Sequence, residues 1–191
     1  MSEKPRILQD SRDMILTLVV LLVACVAIAL VAGNLSFGAK KGSVPNFEVH
    51  QALTADARSM SFPIRDPLYP AGWKPNSGRT GNIGDDAVSN VGYITGDGMY
   101  LQLSQTNAAE PDLVSYLDTS QQEEAQPVMA GGRQWVAYAY ANGNKAWTTD
   151  LDGVRIGLYG KASDADFNRL ATIVVQTQPI SKQAVGPMPT G

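Results

Sequence analysis

The stretch QWVAYAYANGNKAWTTD, residues Gln134–Asp150, decides the fold class. Its first half alternates over Gln134–Ala141, with the two-residue period of a strand that has two different faces. Asn142-Gly143 is a preferred dipeptide for a tight hairpin turn, and Lys145–Asp150 returns as a second strand. The stretch therefore predicts an antiparallel hairpin.

Three further segments extend this hairpin into a sheet. Asp152-Gly153 forms a second turn signal and leads into Val154–Tyr159. Upstream, Val88–Thr95 and Met99–Gln105 are strand-like and are joined by a glycine-rich turn at residues 96–98. Together these segments predict an antiparallel sheet of about five strands.

Helical signals lie on either side of these strands. Apolar residues recur at helical spacing in Glu48–Ser59, and a second helix is predicted to begin near Pro111. Ser163, with Asp166 three residues on, resembles a capping box that starts a third helix. The predicted fold class is α+β: an antiparallel sheet of about five strands with flanking helices, preceded by one transmembrane helix.

A proline-rich segment separates the first helix from the first predicted strand. Residues 62–77 contain four prolines, a spacing that excludes a regular helix and a central strand. The segment is predicted to wrap the domain as extended chain, with Leu68 and Trp73 buried in the core. The three glycines of Gly78–Gly84 predict a mobile loop.

The transmembrane helix is predicted from the uncharged run Met14–Gly33. Twenty residues at 1.5 Å each span about 30 Å, the thickness of a bilayer core. A short tail, one apolar run and a larger C-terminal part are the usual layout of a signal anchor. We therefore expect a single-pass protein of the cell membrane with its N-terminus in the cytoplasm and its C-terminal domain outside it.

Two other interpretations of the apolar run remain open. Leu22–Cys25 resembles a bacterial lipobox, in which the cysteine becomes the lipidated first residue, and the run could also be a cleaved secretory signal. Seven more apolar residues follow Cys25, whereas a polar tether usually follows a lipobox. The uncleaved anchor is the favoured prediction.

These signals divide the chain into five parts. The predicted parts are a cytoplasmic tail (1–13), a transmembrane helix with its exit (14–37), a linker (38–45), an extracytoplasmic α+β domain (46–178) and a disordered tail (179–191).

Few residues suited to catalysis or metal binding are present. Cys25 is the one cysteine and His50 the one histidine, so Cys-based zinc sites and Ser-His-Asp catalysis have almost no residues to use. The formal net charge of -3, with no basic patch beyond Lys40-Lys41, argues against nucleic-acid binding. We predict no catalytic residue, cofactor or metal.

A hydrolase is the weaker alternative, because it would need carboxylates that converge across a cleft. The adjacent acidic pairs Asp85-Asp86 and Glu123-Glu124 do not give that geometry if they lie in loops.

Several short motifs resemble one known family when they are taken in order. They are Arg12-Asp13-Met14, Pro70–Ser77 (PAGWKPNS), Val91–Thr95 (VGYIT) and Gly160–Ser163 (GKAS). The chain resembles DUF4245, a family of actinobacterial single-pass membrane proteins. The resemblance implies a single span and an outer domain in a Gram-positive envelope, and it implies no activity.

The predicted function is that of an interaction protein, an accessory or assembly subunit that docks on a larger envelope complex. Its predicted partners are the lipid bilayer and a larger membrane protein complex. The alternative is an extracytoplasmic binding module for a lipid, glycan or peptide. Candidate partner-binding residues are Arg12, Asp13 and Trp73; Arg12 could instead reach lipid headgroups.

Overall fold

The computed structural model describes residues 14–25, 48–123 and 125–181. The chain divides into two compact units, Met1–Val44 and Pro45–Gly191. In the first unit, the described residues form one helix, α1, over residues 14–25, and its apolar side chains are exposed.

The predicted transmembrane helix needs a correction. Among the residues that the structure describes, no helix is both long and apolar enough to cross a membrane. The rest of the predicted run Met14–Gly33, together with the tail at 1–13 and the linker at 38–45, lies outside the described residues.

The second unit contains the following helices and strands in chain order: α2 (Val49–Ser59), β1 (Lys74–Ile83), β2 (Asp86–Ile94), β3 (Tyr100–Thr106), α3 (Glu110–Leu117), β4 (Gln126–Ala130), β5 (Arg133–Ala139), β6 (Lys145–Leu151), β7 (Val154–Gly160) and α4 (Asp164–Gln176).

The strands of this described part form a single antiparallel sheet in the order β1-β2-β3-β7-β6-β5-β4. The sheet has seven strands, so the prediction of about five was wrong. The two missed strands, β1 and β4, are the two edges of the sheet. Their prolines and glycines weaken the strand signal, and an edge tolerates these residues because half of its backbone groups have no strand partner. The stretch Gly78–Gly84, predicted as a mobile loop, belongs largely to β1.

Both faces of the sheet are covered. On one face, α2 and α4 bury Leu53, Phe167 and Leu170 against strand residues such as Leu103 and Leu158. On the other face, α3 packs Leu113, Val114 and Leu117 near Tyr140 and Ala146. Buried apolar side chains on both faces explain why Trp135 on β5 and Tyr140 directly after it, which belong to the cores on opposite faces, are each almost fully buried.

The close approach of α3 to the sheet depends on a glycine. A Cβ added at Gly157 on β7 would lie 3.1 Å from Leu113 Cδ2 and 3.2 Å from Leu117 Cδ1. A side chain at this position would therefore push α3 outward.

Several local predictions are confirmed. The hairpins at Asn142-Gly143 and Asp152-Gly153 form, and both residues of the second turn have the positive φ that a two-residue hairpin favours. The Ser163 hydroxyl accepts a hydrogen bond from the Asp166 amide at 3.2 Å, which caps α4 as predicted.

Candidate functional site

The segment between α2 and β1 is fixed at its start by Arg65. The Arg65 amide donates to Gln105 Oε1, and Gln105 Nε2 donates to the Arg65 carbonyl, each at 2.8 Å. The buried guanidinium donates to the Thr177 carbonyl at 3.0 Å and to Asp152 at 3.2 Å. Arg65 therefore ties this segment to β3, to the β6–β7 hairpin and to the end of α4.

Trp73 fixes the other end of the segment. Its side chain is 5% exposed, and its ring lies 6.3 Å from that of Tyr93 on β2. Tyr93 in turn lies 5.7 Å from the ring of Tyr69. This series of three rings connects the core to the surface, because Tyr69 is 41% exposed.

Between these two ends, residues 66–72 form an irregular segment that we call the Leu68 loop. Leu68 is 85% exposed, so the prediction that it is a core residue was wrong, whereas burial of Trp73 is confirmed. Phe62, Ile64 and Trp73 fill the core at the two ends of the segment. Pro67 and Pro70 restrict the backbone on either side of Leu68 and Tyr69, which limits how many conformations the loop can adopt.

A cavity of about 300 Å³ lies beside the Leu68 loop. Its walls come from the start of α2, from the loop and from the start of β1, and they include Glu48, His50, Asp66, Leu68, Tyr69 and Pro75. We call it the Asp66 cavity. It combines carboxylates with an aromatic ring and apolar walls.

His50 and Asp66 contact each other at the edge of this cavity. His50 Nδ1 is within hydrogen-bonding distance of Asp66 Oδ2. The imidazole is 78% exposed, whereas the Asp66 side chain is 21% exposed. A His-Asp contact orients an imidazole, but acyl-transfer chemistry would also need a nucleophile next to the ring. The contacts of His50 within the described residues show no such hydroxyl or thiol.

The hydroxyl of Tyr93 is one of three buried side-chain polar groups without a hydrogen-bond partner among the described residues, with Arg65 Nη1 and Arg155 Nε. Tyr93 is fully buried, and its hydroxyl has no hydrogen-bond partner among the described residues. Burial raises the pKa of Tyr93 above its usual range, and the charge on Asp66 adds to the effect. A buried hydroxyl without a partner costs about 1–3 kcal/mol, so it needs an explanation.

A second polar cluster lies on the α3 face of the sheet. Glu110 Oε1 accepts from the Tyr138 hydroxyl at 3.0 Å and from the Thr148 hydroxyl at 2.5 Å. The Arg155 guanidinium is 3.8 Å from both Glu110 and Asp150. Burial, followed by the bond to Glu110, raises the pKa of Tyr138 to about 12. Arg155 pairs with both carboxylates and offsets part of their negative charge, so this cluster stabilises α3 against β6 and β7.

A third cluster, here called the Asp118 cluster, holds the β5–β6 turn. Asp118 Oδ2 accepts from Asn142 at 2.7 Å, from Asn144 at 2.8 Å and from the Tyr159 hydroxyl at 2.8 Å. The Ser120 amide donates to Asp118 Oδ1 at 2.8 Å. Burial alone would raise the pKa of Asp118, but the hydrogen bonds from Asn142, Asn144 and Ser120 hold it well below its usual range.

A second cavity, of about 240 Å³, is lined by residues of β4, β5, β6 and the start of α4. Its floor is apolar, with Val128, Ala137 and Trp147, and its rim carries Lys145, which pairs with Asp164. We call it the Trp147 cavity.

The residues predicted from the sequence fall in different places. Arg12 and Asp13 lie outside the described residues. Trp73 lies below the Leu68 loop and is held against Tyr93, and its role in partner binding stays a prediction. In the described ranges, no three His, Cys, Asp or Glu side chains are grouped so that they could hold a metal ion.

The carboxylates considered for a hydrolase lie in different parts of the chain, with Glu123 in the connection between α3 and β4. Asp85 and Asp86 lie at the β1–β2 turn, Asp86 accepts from Asn107 at 2.8 Å, and Glu124 is outside the described residues. Sequence reasoning missed the pairing of His50 with Asp66. These two residues are 16 positions apart, and no spacing rule connects the start of a helix to an irregular segment.

Comparison with known proteins gives one match. The sequence model of a family described as "Protein of unknown function (DUF4245)" matches residues 6–174, which include the Leu68 loop and every strand of the sheet. No curated protein and no solved structure matches the chain.

Proposed function

The chain belongs to the DUF4245 family, whose description assigns no activity, and we propose from its geometry that it is an interaction protein that docks on a larger envelope complex. In this proposal it acts as an accessory or assembly subunit, and the Leu68 loop is its contact surface. The observation that carries the proposal is the exposure of Leu68, at 85%, on a loop that is fixed at both ends.

An exposed leucine on its own is common on protein surfaces. Here Leu68 stands next to Tyr69, between two prolines and beside a cavity. Tyrosine is enriched among the residues that contribute most to binding at protein interfaces. The anchors at Arg65 and Trp73 hold the loop in place before a partner arrives, which reduces the entropy lost on binding.

The cellular location is part of the same proposal. We place the second unit at the outer face of the cell membrane. The proposal also includes two features that the family resemblance implies: an actinobacterial source and attachment to one bilayer. The apolar side chains of α1, which are 54% to 70% exposed over residues 14–23, support attachment to an apolar phase.

The test is affinity purification of the tagged full chain from its native host in several mild detergents. Leu68→Ser removes the apolar contact without disturbing the core, because the side chain is exposed. The matched control is Met129→Ser, which changes an apolar side chain that is 63% exposed on edge strand β4. We expect stoichiometric partners with the natural chain and with the control, and a clear loss with Leu68→Ser. Recovery of the natural chain alone in every detergent would contradict the proposal.

The Trp147 cavity favours a second candidate, a binding module for a lipid, glycan or peptide. Its walls combine the apolar surfaces of Val128, Ala137 and Trp147 with the polar groups of Glu123 and of the Lys145–Asp164 pair, which suits a ligand that has both apolar and polar parts. Native mass spectrometry of the full chain, released gently from its host membrane, should then show a bound mass. That mass should be absent with Ala137→Trp, which fills the cavity. A spectrum of the unliganded natural chain alone would remove this candidate.

A further inference from the structure

We propose that the Asp66 cavity takes the side chain of an arginine from the partner protein. This inference rests on the proposed docking function and deepens it, since it states what chemistry the partner presents to the Leu68 loop.

Charge is the first argument. Glu48 and Asp66 both line the cavity, and among the described residues its walls include no lysine or arginine. His50 contacts Oδ2 of Asp66, which leaves Oδ1 without a hydrogen-bond partner among the described residues. Asp66 therefore has one oxygen free to bind a cation from outside the chain. Its contact with His50 involves an exposed imidazole, and no other ion pair of Asp66 within the described ranges would have to break.

Shape is the second argument. A volume of about 300 Å³ is at the small end of ligand sites, so it suits one side chain better than a large ligand. The Tyr69 ring offers a face that is partly exposed, and Pro67 and Pro75 supply flat apolar walls. A guanidinium is planar, stacks on aromatic faces and keeps its charge, whereas the ammonium of lysine is a compact and strongly hydrated charge.

The third argument comes from Tyr93. Its buried hydroxyl has no partner in the described part of the chain, and the Tyr93 ring centroid is 5.7 Å from that of Tyr69, which lines the cavity. A guanidinium has five N–H donors, more than Asp66 alone can accept. In the proposed complex, the Tyr69 ring turns aside and one of these donors reaches the Tyr93 hydroxyl. The incoming arginine then satisfies the polar group that the isolated chain leaves unpaired.

The test uses short synthetic peptides and the full chain purified in mild detergent. Four acetylated and amidated hexapeptides share the sequence Gly-Ser-X-Leu-Ser-Gly, with arginine, lysine, glutamine or glutamate at X. Because His50 is the one histidine in the chain, its imidazole signals in an NMR titration report on this cavity without ambiguity. We expect the arginine peptide to shift these signals and to bind about tenfold tighter than the glutamine peptide.

Variants of Asp66, Tyr69 and Tyr93 test separately the contributions of the charge, the ring and the hydroxyl to arginine binding. Asp66→Asn should reduce the affinity for the arginine peptide about tenfold, whereas Asp97→Asn, which removes a charge in the exposed β2–β3 turn, should leave it unchanged. Tyr69→Leu and Tyr93→Phe should each reduce the preference for arginine over lysine. Unfolding in urea, measured in parallel, shows whether each variant is folded.

Three outcomes would overturn the inference: equal binding of the arginine and glutamine peptides, equal binding of arginine and lysine, or unchanged arginine binding by Asp66→Asn. These failures differ from failure of the proposed function. If Leu68→Ser reduces co-purification while the arginine peptide does not bind, the docking function stands and the arginine site does not. If the arginine peptide binds and Leu68→Ser leaves co-purification unchanged, the cavity binds arginine but the Leu68 loop is not the docking surface.

Discussion

The Leu68 loop and the Asp118 cluster use irregular backbone in opposite ways. In the Asp118 cluster, the carboxylate accepts four hydrogen bonds, from the Ser120 amide, from the β5–β6 turn and from β7, so the polar groups satisfy one another. In the Leu68 loop, an apolar side chain is exposed and the hydroxyl behind the loop is unpaired. The Asp118 cluster stabilises the fold through its own hydrogen bonds, whereas the Leu68 loop leaves an apolar side chain exposed to a partner.

The largest effect is expected where the loop meets the core. Trp73→Ala removes a side chain that is 5% exposed and packs on Tyr93, so it should lower the free energy of unfolding by about 3–5 kcal/mol. Urea unfolding measures the change. The control, Leu68→Ala, lies five residues away on the exposed part of the loop. A small loss with Trp73→Ala would show that the loop is not anchored as described.

A smaller loss is expected in the Asp118 cluster. Asp118→Ala leaves Asn142, Asn144 and the Tyr159 hydroxyl without their common acceptor, and should cost about 2 kcal/mol of stability. The matched change at the other region, Asp66→Ala, removes a contact with an exposed imidazole and should cost less than about 1 kcal/mol. Equal losses at the two aspartates would remove the distinction between the two regions.

The pH dependence of stability sharpens the same distinction. The pKa of Asp118 is lowered in the folded state, so its contribution is present above the unfolded pKa of about 4 and declines as the pH falls below it. Burial and the bond to Asp118 raise the pKa of Tyr159 to about 12, so its contribution is present below about pH 10 and is lost as the pH rises toward 12.

Urea unfolding at a series of pH values tests both directions. Asp118→Asn should flatten the acid side of the curve and Tyr159→Phe the alkaline side, each relative to the natural chain. A curve for Asp118→Asn that parallels the natural chain from pH 5 to pH 2 would contradict the assignment.

The smallest effect on stability is expected at Leu68 itself. Leu68→Ser changes a side chain that is 85% exposed, so the free energy of unfolding should stay within about 0.5 kcal/mol of the natural value. A decrease of more than about 1.5 kcal/mol would mean that Leu68 is packed in solution. Reduced co-purification of the partner would then result from unfolding of the variant and not from loss of a direct contact.

The sequence predicted those elements whose signals are local. The Asn142-Gly143 turn, the Ser163 cap and the helical spacing of Val49 and Leu53 each depend on neighbouring residues, and each is confirmed. The edge strands β1 and β4 were missed because prolines and glycines are typical of loops as well as of protected edges. Their place in the sheet is set by pairing with β2 and β5.

The candidate site was less predictable than the fold. Trp73 was identified as a core anchor, but hydropathy alone also placed Leu68 inside, because an exposed leucine and a buried one look the same in sequence. The contact between His50 and Asp66 joins α2 to an irregular loop. The orphan hydroxyl of Tyr93 depends on what surrounds it in three dimensions, which the alternation of β2 does not specify.

Photo-crosslinking in living cells tests the central claim most directly. A benzoylphenylalanine placed at position 68 is compared with one at Asn142, on the exposed turn of the Asp118 cluster. We predict one discrete adduct of reproducible mass from position 68 and none from position 142. Adducts of equal yield at both positions, or none at position 68, would contradict the account of the Leu68 loop as the docking surface.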